Sequence, residues 1–147
     1  MRRFRFKLQT VLDQRKARED RLQAELGELR RLEAEERNRL VLLRSRLRAS
    51  IVAMEEMLRD SAPAEDLRRF DEYAKALRDD VKVQELTIEA VRTRVEAKRV
   101  EVVKAMQDRK VLETLRDKQE RACLAEQARA EQIELDDMSS LRYARRA

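Results

Sequence analysis

From Leu8, alternating steps of four and three land on Leu8, Leu12, Arg15, Glu19, Leu22, Leu26, Leu29, Glu33, Glu36, Leu40, Leu43, Leu47, Ser50, Met54 and Met57. Most of these side chains are apolar and the register never breaks. That is the seam of a heptad repeat, and it predicts one long amphipathic helix. Arg15, Glu19, Glu33, Glu36 and Ser50 are its soft spots, with Leu32, Ile51 and Leu58 beside the later ones. The pattern stops at Asp60-Ser61-Ala62-Pro63. Proline costs about 3 kcal/mol inside a helix but suits a first helical position. Glu65 and Asp66 then supply the negative charge that a helix's first turn favours. A second seam follows: Leu67, Phe70, Ala74, Leu77, Val81, Gln84, Ile88, Val91, Val95, Lys98, Val102, Ala105, Arg109 and Leu112. Past Leu115 the stripe thins and shifts through Leu124, Ile133, Leu135, Met138 and Leu141, with no helix breaker in the way.

Two heptad helices joined by a tight loop are antiparallel neighbours. The fold class expected is therefore all-α: a two-helix antiparallel coiled-coil hairpin, one domain over residues 1–147. Helix one is expected from about residue 5 to 60, the turn over about 60–63, and helix two over about 63–143. At 1.5 Å per residue these helices would be ~80 Å and ~120 Å long. Roughly the last 25 residues of helix two would then overhang as a single helix, ~40 Å long and marginal alone in water. Its apolar residues have no counterpart within the chain.

Composition sharpens this picture. Ala, Leu, Glu, Lys and Arg together make up about 62% of the chain, the signature of a coiled coil. With one Gly (Gly27) and one Pro, turns are too few for a multi-strand β fold. Charged residues are 44% of the total, too many for a thick core or for a concave apolar pocket. The net charge of +5 is the small remainder of 35 basic and 30 acidic side chains, so nucleic acid is not expected as a partner. No apolar run is long enough to span a membrane. A single cysteine, Cys123, excludes an intrachain disulfide and fits a reducing cytosol.

Candidate chemistry is sparse. There is no histidine, the commonest general base and metal ligand, and one glycine cannot build a phosphate-cradling loop. We expect no catalytic residue, no metal and no cofactor; Cys123 reads as an inert packing residue. Residues 1–18 are lopsided, with Arg2, Arg3, Arg5, Lys7, Arg15, Lys16 and Arg18 against Asp13 alone. This stretch reads either as a solvated lead-in to helix one or, with Phe4, Phe6 and Leu8, as a contact for an acidic lipid surface. Phe70, Tyr73 and Leu77 form an i, i+3, i+7 set just after the turn. Core packing is the plain reading of all three, and an exposed docking patch the functional one.

The two ends of the chain carry a family resemblance. Phe4-Arg5-Phe6-Lys7-Leu8-Gln9-Thr10-Val11-Leu12-Asp13-Gln14-Arg15 resembles the opening of the FliJ family of flagellar export proteins, with alternating Phe and then a Leu-rich helix start ending in an acid and an Arg. Glu131-Gln132, Asp136-Asp137 and the basic tail Arg142, Arg145 and Arg146 resemble its close. Length, the Pro-marked turn and the aromatic pair after it agree. The resemblance implies a non-enzymatic cytoplasmic component of the flagellar type III export apparatus, similar in shape to the central stalk of rotary ATPases and peripheral to the membrane rather than inserted. The implied partners are the hexameric export ATPase, the cytoplasmic domain of the membrane export gate, and export chaperones. Carried over by residue, gate contact falls on Phe70, Tyr73 and Leu77, and on Leu43 and Leu47 of helix one. Contact with the ATPase ring falls on Phe4, Phe6, Leu124, Ile133, Leu135, Met138, Leu141 and Arg142. The equivalent stalk of a virulence-type secretion system, and a free-standing coiled-coil chaperone or adaptor, are the alternatives.

Overall fold

The computed structural model describes residues 3–146. They form two helices, α1 (Gln9–Arg59) and α2 (Ala64–Arg146), packed against each other with no strand among the described residues. The all-α hairpin expected from the two seams is what the chain adopts. Its contacts group into two compact units, one of residues up to 21 with those from 103 onward, the other of residues 22–102.

In the 22–102 unit the core is a single line of seam side chains: Leu22, Leu26, Leu40, Ala74, Leu77, Ile88 and Val91 are buried. Each lies on a heptad position read from the sequence. Two seam residues that broke the apolar pattern, Glu36 and Ser50, are buried as well. Glu36 is not stranded there. The Gln84 side-chain amide donates to the Glu36 backbone carbonyl at 2.9 Å and to its carboxylate. Lys98 Nζ donates to Glu25 at 2.9 Å, Arg92 to Glu33 at 3.3 Å, and Arg44 to Glu85 at 2.9 Å. Low numbers on α1 meet high numbers on α2, so the helices run antiparallel. The Glu25 carboxylate, and after it Glu101, holds the Lys98 ammonium above its ordinary value. Ser50 is the exception. Its hydroxyl is buried without a hydrogen-bond partner, in a seam that also buries Ala74.

The other unit closes on a small apolar cluster. Leu12 is fully buried and packs with Phe6 and Leu112, and Phe4 lies against them. Ala105 is buried too. Beside this cluster the seam turns polar: Arg109 donates to Glu19 and, at 2.7 Å, to Glu113, while Arg15 donates to the Asp108 carbonyl at 2.7 Å. These carboxylates raise the Arg109 guanidinium further, Glu19 first and Glu113 second.

Helix one was expected from about residue 5, but the chain is non-helical through Phe6 and turns at Lys7 and Leu8. The Phe6 carbonyl accepts from the Gln9 amide at 3.2 Å while its ring is tucked into the cluster. Cations suit a helix's positive end poorly, and Arg3, Arg5 and Lys7 all precede the first turn. Leu8, the first seam position, is consequently 39% exposed. At the far end α2 continues to Arg146, three residues past the expected 143.

Candidate docking surfaces

In the 22–102 unit the sequence singled out Phe70, Tyr73 and Leu77, with Leu43 and Leu47. The seam register sorts them by access. Leu77 is a seam residue, buried at 4% exposure, and makes core rather than surface. Phe70, Leu43 and Leu47 are half-buried on the same seam. Tyr73 lies one position ahead of Ala74, which is 1% exposed, and so points away from the packed line; half of its surface is open. Of the five, Tyr73 alone combines a large ring with free access.

Periodicity read only along the seam missed a second stripe. Stepping by three and four from Val83 gives Leu86, Ala90, Thr93, Ala97 and Val100, always two positions after a seam residue. Two residues are 200° around a helix, so this stripe faces away from α1. Val83, Leu86 and Val100 are more than half exposed. The same steps of three and four would have revealed it, had the count been started off the seam.

In the other unit, the proposed ring contacts divide into two groups. Phe6 is buried in the chain's own cluster and Phe4 is half-buried beside it, so both are committed within the chain. Leu124, Ile133, Leu135, Met138 and Leu141 are all more than half exposed, and Arg142 and Tyr143 are exposed with them. These side chains do not all share one stripe. Leu124, Leu135, Met138 and Leu141 follow one helical line, while Ile133, and Tyr143 beside it, lie on the other side of the helix, so apolar surface is offered on more than one face. Such an end is suited to being surrounded rather than to lying on a flat partner. Acidic residues Glu131, Glu134, Asp136 and Asp137 come first along it, and Arg142, Arg145 and Arg146 follow.

No group of three or more His, Cys, Asp or Glu among the described residues is placed to hold a metal ion. No helix among them is long and apolar enough to cross a membrane.

Compared with known proteins, the chain matches the family described as Flagellar FliJ protein over residues 4–147. The chain belongs to the FliJ family. No curated protein and no solved structure matches it. FliJ membership gives this chain a role connected with flagellar protein export, in a family of non-catalytic components. It also covers both surfaces just described, since the match begins at Phe4 and runs through the exposed end of α2.

Proposed function

We propose that this FliJ-family chain is a non-enzymatic central stalk and adaptor of the flagellar type III export apparatus. The exposed end of α2 enters the hexameric export ATPase. The surface around Tyr73 docks on the cytoplasmic domain of the export gate, at the inner face of the cell membrane, and the same chain escorts export chaperones. The observation that carries this reading is the run of exposed apolar side chains from Leu124 to Leu141, on a helix that continues unbroken to Arg146. Fully burying a Leu, Ile or Met side chain is worth about 1.5–3 kcal/mol. Five of them spread over more than one face of a single helix gain most inside a sleeve. The charge bands beside them tune encounter and insertion depth more than affinity.

Truncation after Arg121 tests it. The deleted part lies beyond the Phe6–Leu12–Leu112 cluster and beyond the cross-helix ties of Arg15 and Arg109. The shortened chain should therefore keep its cooperative melt and its gate binding, and lose stimulation of the ATPase. Normal stimulation by the truncated chain would refute the stalk mechanism.

A further inference from the structure

Three polar residues of the α2 seam are each matched to an acidic residue of α1, and the match is specific to one register. Glu19 and Glu36 are buried at 6% and 8% exposure, where a coiled coil ordinarily places Leu or Val. Each meets a polar seam residue of the other helix, Arg109 and Gln84 respectively, and Lys98 reaches Glu25. We infer that these layers form a register lock, holding α1 and α2 in a single antiparallel alignment at the expense of stability.

The argument lies in what every other alignment would bury. Slide one helix by a heptad in one direction and Glu36 meets Leu77, Gln84 meets Leu29, Arg109 meets Leu12, and Lys98 faces Arg18. Slide it the other way and the partners become Val91, Leu43, Leu26 and Leu32. In both cases most of the remaining apolar positions still fall on apolar positions, so hydrophobic pairing alone discriminates weakly. Apart from Glu19, which the second slide brings to Arg116, the polar ones are stranded without partners, which is expensive in a seam. Parallel pairing of two chains fares no better. Each seam residue would then face its own copy, setting Glu19 on Glu19, Glu36 on Glu36, Lys98 on Lys98 and Arg109 on Arg109. A polar seam position is known to select register and partner number while lowering stability. Here the layers are spaced along both units, Glu19–Arg109 in one and Glu25–Lys98 and Glu36–Gln84 in the other. The Glu19–Arg109 layer also decides how much of α2 is left unpaired beyond α1, because it adjoins the Leu12–Leu112 cluster that ends the pairing.

The test uses the full chain with Cys123→Ser and spin labels at exposed pairs across the helices, Asn38 with Lys82 and Asp20 with Lys110. The parent should show one narrow distance for each pair. A variant carrying Glu19→Leu, Glu36→Leu, Gln84→Leu, Lys98→Leu and Arg109→Leu should melt at higher temperature. It should also show added distance populations from axial slips of ~10 Å, one heptad at 1.5 Å per residue, or a larger mass by light scattering. A single unchanged distance at the parent's mass would overturn the lock. A second variant guards against misfolding of the first. Glu19→Arg alone should broaden the Asp20–Lys110 distance, and adding Arg109→Glu should narrow it again. If Glu19→Arg lowers the melting temperature but leaves that distance single and narrow, the pair only stabilises and the inference fails.

Discussion

Tyr73 and Leu77 are one helical turn apart on α2, yet one is half exposed and the other 4% exposed. The difference is a matter of position on the heptad, and it separates an accessible residue from a packing residue. Tyr73→Ala removes a large ring that the seam does not hold. Folding stability should move by no more than about 0.5 kcal/mol, while binding to the export gate should weaken by at least ~2 kcal/mol, the usual cost at an aromatic hot spot. Leu77→Ala should behave the other way, costing about 2–5 kcal/mol of stability and weakening the gate contact only as far as the hairpin itself loosens. Thermal melts beside gate-binding titrations distinguish the two; equal losses in both assays for Tyr73→Ala would return that residue to the core. At this scale the sequence was informative wherever a residue sat in a helix. Every buried apolar side chain among the described residues other than Phe6 falls on one of the two stripes. Phe6 escaped because it reaches the core from non-helical chain, where helical spacing says nothing about which way a ring turns.

The elements end where the breaker residues put them, but the way α1 ends is finer than the breakers reveal. Ser61 adopts a left-handed conformation, with φ at 53°, and the Ala62 amide donates back to the Met57 carbonyl at 3.0 Å. That is the Schellman cap, with Ser61 in the place usually given to glycine. Pro63 follows immediately, and its carbonyl accepts the first bonds of α2 from Asp66 and Leu67. The break at residues 60–63 was legible through Pro63 and the lost heptad. The cap was not, since a serine carries no signal for a left-handed turn. A side chain with a Cβ is strained there by roughly 1–2 kcal/mol, and glycine gives part of the relief back as unfolded-chain entropy. Ser61→Gly should thus stabilise the chain by about 0.5–1 kcal/mol, read as a higher denaturant midpoint at unchanged slope. A lower midpoint would mean that the serine makes a contact worth more than the strain.

At the scale of the whole molecule, packing against α1 holds only part of α2. Nearly half of the chain is charged, but its ion pairs are mostly solvent-exposed, as in Arg31–Glu28 and Arg99–Glu96, and exposed pairs contribute little. What holds the chain together is the seam, whose last buried side chain on α2 is Leu112; from residue 128 to 146 every α2 side chain is exposed. The length mismatch between the two heptad patterns predicted that remainder, although nothing in the helical spacing indicated that Phe4 and Phe6 would pack against Leu12 and Leu112 within the chain. A helical stretch of about 20 exposed residues is marginal by itself, and local opening follows the local density of buried contacts. Hydrogen exchange should therefore be steeply graded along α2 in the free chain. Amides of residues 88–112 should be the slowest, and those of residues 122–146 should exchange orders of magnitude faster. Adding the assembled export ATPase should slow exchange over residues 124–141 and leave residues 88–112 as they were. Slowing confined to the neighbourhood of Tyr73, or none anywhere, would show that the exposed end of α2 is not what the ring holds.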